Sequence, residues 1–162
     1  MCPHPIRVRT AALDEAAALA AVQNTSWRQT YSSLLGERFY DDEALAARVR
    51  MWERSLGDDR LTIRVAEGAG APVGVALAGP ALGEDAVREE QLFILYVVAA
   101  WHGTGAGPAL LQAVLGDRPA QLWVAAENPR AVRFYAREGF RADGAELIDH
   151  DADDLREIRM IR

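Results

Sequence analysis

Seven consecutive apolar residues, Leu92–Val98 ("LFILYVV"), run into "WHGTGAGPALL", where glycine takes every second position from 103 to 107. A strand apolar at every position must be buried on both faces, which predicts the centre of a sheet covered by helices on each side. The glycines then hand the strand to a helix. Leu110, Leu111, Val114 and Leu115 share one face, Pro108 stands in the first turn where its missing N–H costs nothing, and Gly116 closes the run. "QLWVAA" reads as another buried strand. "ENPRAVRFYAREGF" follows as a helix with Asn128 as N-cap, Pro129 as first residue and Gly139 as stop. Strand, helix, strand, helix predicts a parallel pair joined by a crossover.

The flanking segments complete an α/β chain. A helix is predicted from Leu13 to about Tyr31, with Asp14 and Glu15 in its first turn, and a second from Asp42 to Leu56, where Leu45, Val49 and Trp52 recur at helical spacing before Gly57. "LTIRVAE" and "PVGVALAG" read as a hairpin, and the tail as two strands joined by the acidic turn "HDADD". A chain of 162 residues, half of them apolar, suits one domain spanning 1–162. Its net charge of -6 and its 18 basic residues, all arginine and interleaved with acids, argue against nucleic acid. The lone Cys2, the lack of an apolar leader in "MCPHPIRVRTAALDEAA", and the lack of a run of about 18 apolar residues together predict a cytoplasmic protein with no membrane partner.

Glycines ahead of a helix let backbone N–H groups approach a phosphate with no Cβ in the way, at the end where the helix dipole favours negative charge. On these residues alone, a purely structural turn fits equally well. Two other phosphate loops do not fit: a dinucleotide fingerprint needs glycine where Pro108 stands, and a P-loop needs Gly-Lys-Ser/Thr. "DHDADD" lacks the glycine and distal glutamate of a calcium loop, so Asp149 to Asp154 read as a solvated turn, His4 and His150 as surface residues, and no metal site is expected.

"LYVVAAWHGTGAGPALL" resembles the acetyl-CoA signature of the GNAT superfamily of N-acetyltransferases, a central strand ending in Arg/Gln-x-x-Gly-x-Gly/Ala before a helix. "WVAAENPRAVRFYAREGF" is similar to that superfamily's second motif, an asparagine followed by a Phe/Leu-Tyr pair and then Gly-Phe. The two motifs stand in the superfamily's order and at its separation. The resemblance implies a mixed, largely antiparallel, twisted sheet of about seven strands with a splayed parallel central pair, and about four helices. It also implies acetyl-CoA as cosubstrate and an amine acceptor, small or peptidic, with a homodimer common among such proteins. Carried over by position, it implies that Gly103, Thr104, Gly105, Ala106 and Gly107 hold the pyrophosphate. His102 stands at the usual Arg/Gln position, and the main chain of Leu95, Tyr96 and Val97 would bond the pantetheine arm. Asn128 would help hold the cofactor. The departures are His102, Ala99 for a frequent proline, Thr104 for a frequent basic residue, and Pro108, which removes one amide.

Acetyl transfer needs a neutral amine, a donor for the developing oxyanion and a proton for the leaving thiolate. A free alkylammonium has a pKa of roughly 10, so a base must act at neutral pH, directly or through water. A main-chain N–H among Leu95–Val97 is the expected oxyanion donor. Tyr135 is the expected acid, since Asn128, Ala131, Val132 and Tyr135 share a helix face; without the resemblance it reads first as a core aromatic with a satisfied hydroxyl. Glu90 is the expected base, against a solvated lead-in to the strand or deprotonation through water with no single base. Trp27 and Tyr31, in "SWRQTYSSLL", resemble a Trp-x-x-Thr-Tyr stretch in one branch of these enzymes. They are expected to line the acceptor pocket or to pack beside Phe39 and Tyr40. A non-catalytic acyl-CoA-binding module of the same fold would share the cradle without the turnover.

Overall fold

The computed structural model describes residues 4–162, and Cys2 lies outside them. In chain order the described residues form β1 (Arg7–Thr10), α1 (Ala16–Tyr31), α2 (Asp42–Leu56), β2 (Thr62–Gly68), β3 (Ala71–Pro80) and β4 (Glu90–Val97), then α3 (Ala106–Leu115), β5 (Ala120–Ala125), α4 (Pro129–Arg137), β6 (Arg141–Asp149) and β7 (Leu155–Ile161). The strands make one sheet in the order β1-β2-β3-β4-β5-β7-β6. Only the central β4–β5 pair is parallel. This is the α/β architecture expected from the sequence, down to seven strands and four helices.

Helices cover both faces. α1 and α2 pack over Ile63, Val65, Val75 and Leu77, while α3 packs over Ala66, Ala76, Ala78, Leu92 and Leu122. Trp52 is fully buried between the first two helices, and its Nε1 donates to Gln23 Oε1 at 2.9 Å. Truncating such an aromatic to alanine costs about 3–5 kcal/mol. Asp41 caps α2 by accepting from Ala44 N at 2.9 Å, and α4 starts as expected, with Asn128 Oδ1 accepting from Ala131 N at 3.1 Å. Among the described residues, no helix is long and apolar enough to cross a membrane.

Two expectations need correcting. α1 begins at Ala16 rather than Leu13, with no acid in its first turn. The Glu15 carboxylate instead accepts from Ala12 N at 2.7 Å and from Arg9 at 2.6 Å, so the segment before the helix is tied to β1. The second concerns β4. Leu92 is buried, but Phe93 through Val97 are only half-buried. The ladder to β5 stops at the Leu92–Leu122 pair. On the other side, the register with β3 steps from Leu77–Ile94 to Ala78–Leu92, leaving Phe93 as an extra residue. Such a bulge bends a strand and increases its twist, so β4 turns away from β5 beyond this point. The divergence opens a groove in the middle of the sheet.

Candidate active site

The groove has a volume of about 990 Å³ and runs from the glycine loop and α4 to the inner surface of α1, β6 and β7. At its first end, Gly103 and Gly105 adopt φ of +74° and +91°, a region that side-chain-bearing residues rarely enter. Gly107 has an ordinary backbone, but a Cβ there would stand 3.2 Å from Phe134 of α4. Backbone shape therefore favours glycine at 103 and 105, and at 107 a side chain would crowd the Phe134 ring. The turn they make also presents donors. Among the described residues, no backbone group accepts from the N–H of Gly103, Thr104, Gly105, Ala106 or Gly107, and the first helical bond in the segment is Ala109 N to Gly105 O. A Cβ built on Gly103 or Gly105 would meet nothing within 4 Å, so the approach to those amides is open. Amides free and unobstructed at a helix N-terminus fit a diphosphate.

Two side chains expected beside the phosphates turn elsewhere. Thr104 Oγ1 donates back to Trp101 O at 2.6 Å, closing the turn. His102 Nε2 lies 2.7 Å from Val97 O, so its imidazole folds onto the end of β4. Thr104 keeps a free backbone amide in the loop, whereas the His102 N–H is taken up by Ala99 O at 3.1 Å.

Backbone alternation divides β4. Val98 N donates to Val73 O, and with the regular register from Gly74–Val97 to Leu77–Ile94 the main-chain groups of Tyr96 also face β3. Leu95 and Val97 consequently turn theirs to the side that β5 has left. Leu95 and Val97 are the residues of this stretch whose backbone faces the groove, and the Val97 carbonyl is already engaged by His102. The position expected of Tyr96 is corrected accordingly. Its phenol points to the α1 side, where Trp27 Nε1 donates to its hydroxyl at 2.8 Å.

Asn128 and Tyr135 both line the groove, as their shared helix face predicts. Tyr135 is 8 % exposed and packs edge-on to Phe134 and Phe140 at centroid distances of 5.1 and 5.9 Å. It is at once a core aromatic and a wall of the groove. Burial, then the neighbouring Tyr96 and Tyr31, push its hydroxyl well above the usual phenol range. The phenol thus stays protonated, and it is less matched in basicity to a thiolate than its residue type alone suggests.

At the other end, Trp27 and Tyr31 line the groove with ring centroids 5.0 Å apart, and Tyr31 also packs on Leu35 and Tyr40. The pair is thus both part of the groove wall and part of the packed core. Glu90 is not brought in. It is the first residue of β4, paired with Pro80 and Ala120, and does not line the groove. At about 3.3 Å per residue, it stands seven positions and over 20 Å along the strand from Val97. The carboxylates that do reach this end are Asp149 and Glu157 from β6 and β7. Asp149, expected in a solvated turn, instead ends β6 and lines the groove. Nothing local in "LREIRMIR" marks Glu157 for the groove. In the fold, β7 lies between β5 and β6, and alternation places Leu155, Glu157 and Arg159 on the inner face.

Comparison with known proteins agrees with this geometry. The family model for the acetyltransferase (GNAT) domain matches residues 21–156. A Mycobacterium tuberculosis protein named "Probable N-acetyltransferase" is 29% identical over 152 residues, covering 89% of this chain and 84% of that one. An uncharacterized N-acetyltransferase of Mycobacterium bovis is 35% identical over 113 residues, covering 66% of this chain and 70% of its own length. Among solved structures, the PaiA N-acetyltransferase from Thermoplasma acidophilum, in complex with coenzyme A, superposes with a TM-score of 0.66 at 17% identity over 96% of this chain and 98% of that one.

Proposed function

The chain belongs to the GNAT acetyltransferases, and on that premise we propose that it moves an acetyl group from acetyl-CoA to a primary amine of a small molecule or peptide, both substrates being bound together. The observation that carries this reading is the run of five unpaired amides, Gly103 to Gly107, at the start of α3 and beside the opened edge of β4. Those amides are the donors for the diphosphate. The main chain of Leu95 and Val97 is the edge to which an extended pantetheine arm adds, as a strand would. Asn128, fixed as the cap of α4, borders the same space.

Bound acetyl-CoA supplies an activated acyl group whose thioester carbonyl gains negative charge under attack. The N–H groups of Leu95 and Val97 are held toward the groove before any reaction, and such pre-set donors stabilise developing charge without reorganisation. Tyr135 keeps its proton across the physiological range and is the donor for the departing sulfur. Trp27, Tyr31 and the Tyr96 phenol form the acceptor end on the α1 side.

The test is release of free thiol from acetyl-CoA over a panel of primary amines. Saturable release that depends on one class of amine is expected. Saturable coenzyme A binding with no turnover on any amine would favour the non-catalytic module.

A further inference from the structure

The acceptor end of the groove contains a carboxylate that neither sequence motif accounts for. β6 and β7 pair Leu147 with Glu157 and Asp149 with Leu155, so these four side chains form one patch facing the groove. Glu157 also stands opposite Ala125, at the last residue of β5, beside the point where β4 has diverged. Its surroundings come from every adjoining element. Tyr31 of α1 and Tyr96 of β4 lie near enough to feel its charge, and Asp149 of β6 is its acidic neighbour. The two nearest arginines on β7 are engaged elsewhere: Arg156 with Glu146 on the outer face at 2.6 Å, and Arg159 with Asp143 at 2.6 Å. Among the described residues, Glu157 makes no salt bridge.

We propose that Glu157 is the general base that takes the proton from the acceptor's ammonium. The inference rests on the acetyl-transfer reading. One N–H bond of the ammonium breaks, its proton forms an O–H bond on the Glu157 carboxylate, and the nitrogen keeps the electron pair with which it attacks. Burial, then the charge of Asp149, holds the Glu157 carboxyl above the usual carboxylate range, which narrows the gap to an amine. Asp149 is the poorer candidate, because its Oδ1 already accepts from Asp151 N at 3.0 Å. Tyr31 lines the same end, and its ring favours a cation before it is deprotonated, while the rings of Trp27 and Trp123 already carry the guanidinium groups of Arg48 and Arg159.

The experiment compares the parent with Glu157→Gln and Glu157→Asp, using phenethylamine, 1,4-diaminobutane and an alanyl dipeptide as acceptors. The readouts are kcat and KM for the amine, the pH profile of kcat/KM, coenzyme A affinity, and the Glu157 carboxyl titration in the parent by NMR. Glu157→Gln is expected to lower kcat about 10²-fold or more and to remove the acidic limb of the profile. Coenzyme A affinity should hold, Glu157→Asp should keep the limb with a smaller loss, and the parent carboxyl should titrate above the usual range. The proposal is overturned if Glu157→Gln stays within about threefold of the parent with the limb intact, or raises KM alone, or if the carboxyl titrates near the ordinary value of about 4.3. A parent that binds no coenzyme A would overturn the acetyl-transfer reading, and this inference with it; a parent that transfers normally while Glu157→Gln is unaffected removes only Glu157.

Discussion

Trp27 of α1 and Tyr96 of β4 are joined at the α1 end of the groove by a 2.8 Å hydrogen bond from the indole nitrogen to the phenolic oxygen. The bond fixes the helix against the strand at the place where β4 bends away from β5, and the guanidinium of Arg48 lies over the same indole at 5.1 Å. Trp27→Phe removes the donor and leaves a buried hydroxyl without it, a loss of about 1–2 kcal/mol of stability. The acceptor KM should rise in the same variant while coenzyme A affinity stays level, which urea denaturation and initial-rate kinetics would show.

Tyr135→Phe should lower kcat by about 10²-fold, the usual worth of a positioned proton donor, with little change in coenzyme A affinity. Because burial raises the Tyr135 hydroxyl, its ionisation should place no fall in rate below about pH 10. An unchanged kcat in the variant would remove the phenol from the mechanism.

Gly105→Ala forces a side chain into a φ of +91° and should cost about 1–2 kcal/mol of stability. The larger expected effect is on coenzyme A, whose affinity should drop by at least tenfold as the loop relaxes and the amides of its turn lose their common direction. Thermal denaturation beside a binding isotherm separates the two effects.

The pairing of Glu15 with Arg9 predicts a pH dependence of stability. The hydrogen bond from Arg9 holds the Glu15 carboxyl below its ordinary range in the folded chain. Its contribution is therefore complete above the unfolded value of about 4.3 and is lost as the pH falls through the lower folded value. Glu15→Gln should be about 1–2 kcal/mol less stable than the parent at pH 7, and the difference should shrink toward pH 3. Paired urea denaturations at the two pH values check the sign.

The run from β4 through α4 was legible in the sequence because its signals are local. An unbroken apolar strand, glycines ahead of a helix, and the Asn128–Pro129 start each act within a few residues. What was not legible depends on register between distant segments. The bulge at Phe93 exists only relative to β3, and it is what exposes an edge of β4 that an apolar pattern assigns to the core. The same holds for β7, whose insertion between β5 and β6 turns Glu157 inward, and for Glu90, whose place at the far end of β4 follows from where pairing with β3 begins. His102 shows a third kind of limit. A ring placed next to a phosphate loop could face either way, and the nearby Val97 carbonyl decides it.

Coenzyme A is proposed to be held by the amides of Gly103 to Gly107 together with the groove-facing edge of β4. Mapping backbone amide shifts by ¹H–¹⁵N NMR during titration with coenzyme A tests it most directly. The largest shifts are predicted at residues 103–107, with Leu95 and Val97 next. Saturable binding that leaves those amides unmoved, or no binding at all, would contradict it.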